Sequence, residues 1–421
     1  MDLKSAHLSK FRIPLILFST IIVGFILNED SLGGAKNDFY SQLERTFYLK
    51  EDLLYHFFNY DDLENRHSPI FLVFSSIILS SFENVDFLRV IHLFIPILIY
   101  FFFYKCLKIR FNKIDSSKLA FISSLIFISP TIRSYSIWPD SYIYGLLFFI
   151  ISTYYFLLHR YQRYNFMNIF YNVFYLSISS YFMPIFSIFS LYFFFKFTKF
   201  FLKKKFFYKI PIVIFLNLLL AFPAFYYIFY LDINFLRSTG EWGLTEKTFS
   251  FLNFSNKFFY SSSIIFFHLI PIFFIFLDKF KISKNIIKSK NFILIFLFLT
   301  ITYFFSNYEN IYDNLGGGGI FYRIFNEILN IPDLQILLII PISYFFIFIL
   351  QNNINNYLIF FILLFSNFQL TIYHNYFEPI IYIVILTLFL NENLSNKLFS
   401  QKNLNILILF NIFFLMISVF K

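Results

Sequence analysis

The sequence predicts an all-α fold, a polytopic transmembrane helical bundle of about 13 spans with helices lying flat along its outer surface. Three observations predict it. The chain is 58% hydrophobic and only 14% charged, with a mean hydropathy of +0.68, more apolar surface than a soluble fold can hide. The apolar residues come in runs close to the ~20 residues that a bilayer crossing needs. The Lys and Arg residues gather in alternate connecting segments, as cytoplasmic loops do, so the net charge of +10 is read as a membrane topology signal and not as a nucleic-acid footprint. The 72 Phe accompany a general excess of Ile, Asn and Lys and are read as lipid-facing filler. The single Cys106 excludes an internal disulfide, and no paired Cys/His spacing points to a metal centre.

Each element follows in order. Lys4, Lys10 and Arg12 precede the apolar run Ile13–Leu27 and no small-residue cleavage site follows it, which predicts a retained signal anchor with a cytoplasmic N-terminus. The polar loop 28–67 then lies outside. Ser68–Phe82 is apolar but, at about 15 residues, short of a crossing, and is expected to lie flat on the outer surface. Phe87–Tyr104 crosses and delivers the basic run "KCLKIRFNKIDSSK" to the cytoplasm. The remaining spans are expected at Leu119–Ile132, Ser141–Leu158, Met167–Phe182, Pro184–Phe201, Ile210–Tyr230, Ser261–Leu277, Phe292–Phe305, Leu334–Leu350, Tyr357–Ile372, Tyr376–Leu390 and Leu404–Phe420. This topology puts 23 of the 34 basic residues inside and 20 of the 24 acids outside, whereas letting Ser68–Phe82 cross reverses nearly all of it. The whole chain, 1–421, reads as one integral membrane domain, with 1–158 as its N-terminal part and 159–421 supplying further spans.

The polar, non-repetitive segments then share one face: "NEDSLGGAKNDFYSQLER", "NRHSP", "SPTIRSYSIWPDSY", "LDINFLRSTGEWGLTEK", "NYENIYDNLGGGGIFYRIFNE" and "YHNYFEP". Chemistry is expected there, at the outer membrane–water boundary. The spans carry almost no charge, with His92 and His268 the main exceptions, both expected to be hydrogen-bonded between helices. That argues against a coupled transporter or proton relay. Glu29, Asp30, Asp61 and Asp62 read as solvated loop charges, Arg89 as a residue snorkelling at a span end, and Gly316–Gly319 as a mobile connector able to close over a substrate.

An N-terminal span, an outer loop carrying an early carboxylate ("GGAKNDFY"), a short H-x-P-led helix ("RHSPIFLVF"), the span "FLRVIHLFIPILIYFFFYKCLKIRF" and then "SP…R…D" at the next outer hairpin together resemble the GT-C glycosyltransferases. The layout is similar to that of the protein O-mannosyltransferases and the lipid A aminoarabinose transferase. The resemblance covers Phe11–Leu158 and continues beyond it only as a helix count. Departures are Asn37–Asp38 where family members often pair two acids, His67-Ser68-Pro69 in place of H-P-P, and the lack of the oligosaccharyltransferases' enlarged soluble domain.

What the resemblance implies is a transferase of a bacterial inner membrane, moving a sugar from a polyprenyl-phosphate donor to a lipid, glycan or protein acceptor on the periplasmic face. It implies Asp38 as the catalytic base and Asp140 as the matching acid at the start of the fourth span. The chemistry of the residues agrees: an acceptor hydroxyl needs a carboxylate to take its proton, and Asp38 follows Gly33 and Gly34, which free its loop. Arg66, His67, Arg133 and Arg323 are candidates to hold the carrier's phosphate, and His374 and Glu378 to line the site at the head of a span. No cofactor is assigned, and a divalent metal is left open. The alternatives are a polysaccharide polymerase of the O-antigen type, which fits the helix count, and a lipid or glycan flippase, which calls for a hydrophilic path through the bundle.

Overall fold

The structure, a computed structural model, describes residues 11–65, 68–162, 164–233, 251–276, 289–308, 317–350, 353–366, 371–390 and 397–419. The described residues are helical and contain no strand. Among the described residues, seven helices are long and apolar enough to cross a membrane, or eight if one bent pair is counted as a span. The chain divides into two compact units, Met1–Gly243 with Asn411–Lys421, and Leu244–Phe410.

The first unit begins with α1 (Arg12–Ile26). Asn28 ends it in the left-handed region at φ 55°, while Glu29 N donates to Gly24 O at 2.8 Å and Asn28 N to Phe25 O at 3.1 Å. These two bonds are a Schellman closure with Asn in the place glycine usually takes. The first loop is itself helical: α2 (Ala35–Glu51), α3 (Leu53–Phe58) and then α4 (Pro69–Phe82). At 14 residues α4 is too short to cross upright, and its buried residues Phe71, Leu72, Ser75, Ser76 and Leu79 form one face, which packs on α2.

Next come α5 (Val85–Leu93) and α6 (Ile95–Arg110), which run on as one 26-residue candidate span, Val85–Arg110. The expected crossing Leu119–Ile132 is interrupted. A helix over Ser116–Ile128, beginning with α7 (Ser116–Ser124), meets α8 (Pro130–Ile137) at 62°. Pro130 has no N–H and forces Ser129 into an extended conformation (φ −68°, ψ 120°), and Ser129 Oγ caps the new helix through Ile132 N at 3.1 Å.

The candidate span α9 (Ser141–Tyr161) is packed tightly by α10 (Phe166–Phe182). Small and polar side chains let the backbones approach, as suits helices that gain little from apolar burial in lipid. Ser179 Oγ donates to Gly145 O at 2.6 Å, Asn172 and Ser152 exchange bonds of 2.8–2.9 Å, and a Cβ on Gly145 would stand 2.7 Å from Met183 Cβ. The unit continues with α11 (Phe189–Lys204) and α12 (Lys209–Phe225), the latter extended to Tyr230 by a wider turn after Pro223.

The second unit holds α13 (Phe251–Phe276), α14 (Lys290–Phe304), α15 (Gly319–Tyr322), α16 (Ile339–Leu350), α17 (Ile354–Phe365) and α18 (Ile380–Thr387), with α19 (Gln401–Val419) following. Two expectations change here. The span predicted at Ser261–Leu277 starts about two turns earlier, so Lys257 lies inside a candidate span, Asn253–Ile275. The span predicted at Tyr376–Leu390 contains only the eight-residue α18, about 12 Å long.

Candidate functional site

In the first unit α2 brings two predicted acids into one neighbourhood. Asp30 shapes its start by accepting from Gly33 N at 3.0 Å and Lys36 N at 3.1 Å, with Gly33 left-handed at φ 78°. Asp30 is therefore a brace for the loop and not merely a solvated charge. Asp38 stands exposed in the first turn of α2, where a carboxylate also meets the positive end of the helix dipole. One turn on, buried Gln42 donates from Nε2 to Asp140 Oδ2 at 2.8 Å. Asp140 is buried and caps α9 with its other oxygen, which accepts from Tyr142 N at 2.7 Å. Asp38 and Gln42 are four residues apart, so their Cβ atoms are about 5–6 Å apart on one face of the helix. Gln42 Oε1 is buried with no hydrogen-bond partner among the described residues.

The other polar residues around this loop are structural. Arg133, a predicted phosphate ligand, grips Glu29 with two nitrogens, Nε to Oε1 at 2.7 Å and Nη2 to Oε2, and also donates to Thr20 Oγ1 at 2.8 Å and Thr20 O at 3.1 Å. Its donors are engaged inside the protein, and Glu29 is its partly buried partner and not a solvated charge. A Cβ on Gly24 would collide with the same carboxylate.

Arg89 does not snorkel. It is buried, donates to Ile137 O at 3.1 Å and Asn28 Oδ1 at 2.9 Å, and lies 4.1 Å from the Trp138 ring centre. Trp138 Nε1 in turn donates to Glu29 O at 2.9 Å, and Ser31 and Leu32 meet Ser134 Oγ at 3.0 Å. The first loop and the bend at α8 are thus one bonded body. Asp61 and Asp62 are exposed, as expected, and Asp62 holds Tyr55 at 3.0 Å, which raises the Tyr55 phenol. Arg66 and His67 lie outside the described residues.

A half-open cavity of about 360 Å³ lies beside α4, α10 and α12. Apolar surface dominates its wall, with Ser68, Ser180, Tyr181, Asn217 and Tyr227 contributing the polar atoms. Tyr227 also ties α12 to the first loop through its hydroxyl, which donates to Phe57 O at 3.1 Å.

The second unit gathers the remaining candidates differently. Arg323 is half-exposed and pairs with Glu327 at 3.0 Å. His374 Nε2 accepts from Ile320 N at 2.9 Å, which leaves the proton on Nδ1, pointing at His268 Nε2, 2.9 Å away. His268 is thus bonded between segments as expected, whereas His92 stays within its own helix, 2.7 Å from Leu88 O. Glu378 is buried, with its backbone N donating to His374 O at 2.9 Å, and a cis peptide joins it to Pro379.

Of the expected mobile connector Gly316–Gly319, Gly316 lies outside the described residues and Gly317–Gly319 are buried. Gly318 N donates to Ile372 O at 2.8 Å, and Gly318 and Gly319 are left-handed at φ 77° and 87°. Tyr308 flanks this turn, its hydroxyl accepting from Ile372 N at 3.4 Å, and burial pushes its phenol up to about 12. Sequence reasoning missed Gln42 and Lys257 and misplaced Arg89; Lys257 could have been found by starting α13 at its aromatic-rich first turns instead of at the uncharged run.

Among the described residues, no group of three or more His, Cys, Asp or Glu is arranged to hold a metal ion. No family model matches the sequence, and comparisons with curated proteins and with solved structures give no match.

Proposed function

We propose that the chain is a GT-C-like membrane glycosyltransferase, with Asp38 as general base and a polyprenyl-phosphate sugar as donor. The observation that carries this reading is the placement of exposed Asp38 one helical turn from Gln42, whose amide fixes buried Asp140 at the head of α9. The arrangement offers one carboxylate to a substrate and locks the other. In the reaction, Asp38 takes the proton of the acceptor hydroxyl as its oxygen bonds to the anomeric carbon. The anomeric C–O bond to phosphate breaks and the lipid phosphate leaves with the electron pair. Gln42 Oε1, buried and without a partner among the described residues, is available to accept from a sugar hydroxyl. Asp140 positions Gln42 and does not touch the reacting atoms.

The apolar cavity beside α4, α10 and α12 suits the isoprenoid tail, and Arg66 and His67, which directly precede its wall residue Ser68 in the chain, take the phosphate in this reading. The finer topology belongs to the same proposal: about 13 crossings in a bacterial inner membrane, the N-terminus cytoplasmic, α4 flat on the outer surface, several short helices tilted or in locally thin bilayer. Acceptor class and any metal requirement are separate questions. A polymerase shares these elements but has no particular need of Asp38, and a flippase needs no base at all.

The test is Asp38→Asn in purified protein given lipid-linked sugars extracted from a strain lacking the protein, where they should accumulate. The variant should insert and bind donor yet transfer ~10²-fold or more slowly. Transfer at the wild-type rate would refute the base assignment.

A further inference from the structure

The proposed transfer leaves unused a polar stripe on α13. Lys257, Ser261, Ile264 and His268 recur at spacings of four, three and four residues and so share one face of the helix. That face meets the 371–374 segment and the glycine turn. Lys257 Nζ donates to Thr371 O at 3.2 Å, His268 meets His374, and Ile264 packs where a side chain on Gly319 would stand.

Two of these side chains are not accounted for by the fold. Lys257 is only 8% exposed, yet among the described residues it has one hydrogen bond, to a neutral carbonyl, and no ion pair. An ammonium has three N–H donors, and away from water it calls for negative charge beside it. Ser261, one turn further along the stripe, is fully buried, and its hydroxyl has no partner among the described residues. Two residues on, Ser263 turns its hydroxyl back to Tyr260 O at 2.8 Å, the usual way a helical serine satisfies itself. Ser261 does not.

We propose that Lys257 and Ser261 form a binding site for a phosphate group, the ammonium supplying charge and the hydroxyl a second hydrogen bond. Their Cβ atoms are about 5–6 Å apart, a separation that the oxygens of one tetrahedral phosphate bridge. Lys257 is about 6 Å along the candidate span Asn253–Ile275, close to the boundary depth of lipid phosphates. The group comes from a lipid headgroup or from free phosphate, which share this chemistry. The site is independent of Asp38 and stands or falls without it.

The experiment uses full-length protein, wild type and Lys257→Met, in phosphatidylcholine nanodiscs with and without a minor fraction of phosphatidic acid. Retained lipid is read by mass spectrometry of the intact protein, and inorganic phosphate is titrated in a parallel thermal-shift series. Wild type should retain phosphatidic acid at least ~10-fold better than Lys257→Met, with Lys257→Arg close to wild type, because one charge-assisted contact is lost only in the first. A thermal shift with inorganic phosphate in wild type alone, without lipid retention, assigns the site to free phosphate. Equal behaviour of wild type and Lys257→Met in both series overturns the proposal. If Lys257→Met does not fold, Ser261→Ala is put through the same two series and the same criterion applies.

Discussion

Gln42 Nε2 and Asp140 Oδ2 meet at 2.8 Å across 98 residues of sequence. Because the other oxygen of Asp140 caps α9, one carboxylate both starts a helix and anchors the first loop. Asp140→Ala removes both bonds and should cost about 1 kcal/mol for the cap and about 1.5–3 kcal/mol for the charged hydrogen bond. Gln42→Leu should cost about 1–3 kcal/mol by leaving a buried carboxylate oxygen unsatisfied. The double variant should lose less than the sum of the two, read as midpoints of thermal unfolding in detergent. Strict additivity would mean that the pair is not coupled.

Arg133 and Glu29 give a second prediction, one that separates a structural ion pair from a phosphate ligand. Arg133→Ala leaves Glu29, 14% exposed at its side chain, without its counter-charge and should cost about 3–5 kcal/mol. Replacing both residues by apolar side chains, Arg133→Met with Glu29→Leu, should recover much of that loss. Recovery of folded protein, measured by size-exclusion chromatography, decides it. If the double variant folds well and still uses donor, Arg133 plays no part in phosphate binding.

Topology is tested with three single cysteines at exposed positions, Glu51→Cys, Ser81→Cys and Lys113→Cys. The native Cys106 is buried and contributes little background. If α4 lies flat, an impermeant thiol reagent should reach positions 51 and 81 from the same side and 113 from the other, because Val85–Arg110 is then the only candidate span between them among the described residues. Labelling of 51 and 81 from opposite sides would mean that α4 crosses.

The glycine turn of the second unit makes the fourth prediction. Gly319 has φ 87°, and an added Cβ would stand 2.5 Å from Ile264 Cγ1. Gly319→Ala should therefore cost about 1–3 kcal/mol from backbone strain alone, with a steric cost added. Adding Ile264→Ala should relieve only the steric part, seen as incomplete recovery of the unfolding midpoint. Complete recovery would show that the backbone conformation carries no strain.

How legible these features were depends on the reach of the signal. The shortness of α4 is local, a matter of counting apolar residues from Pro69 to Phe82, and it could be read directly. The break at Pro130 was also local, yet hydropathy continues through Thr131 and Ile132 and masked it. Lys257 falls outside the expected span, which begins at Ser261, because a charge lowers any hydropathy window, yet it is buried within the candidate span Asn253–Ile275. The ties of Arg89, Arg133 and Gln42 could not be read at all. Their long-range partners lie 48 to 113 residues away, and no periodicity encodes who meets whom at that distance. Asp38 and Asp140 were both named, but Gln42, which holds Asp140, was not.

The bond between Glu29 and Arg133 also sets a schedule for biogenesis. The two residues are separated by 104 positions, so at about 5–20 residues per second a ribosome needs roughly 5–20 s to deliver the arginine after the glutamate. Throughout that interval the first loop has α2 and α3 but neither Ser134, Trp138 nor Asp140 to bind. The loop must wait, unclasped, until the bent α8 arrives, and a chaperone or protease acting on nascent chains has its opening there.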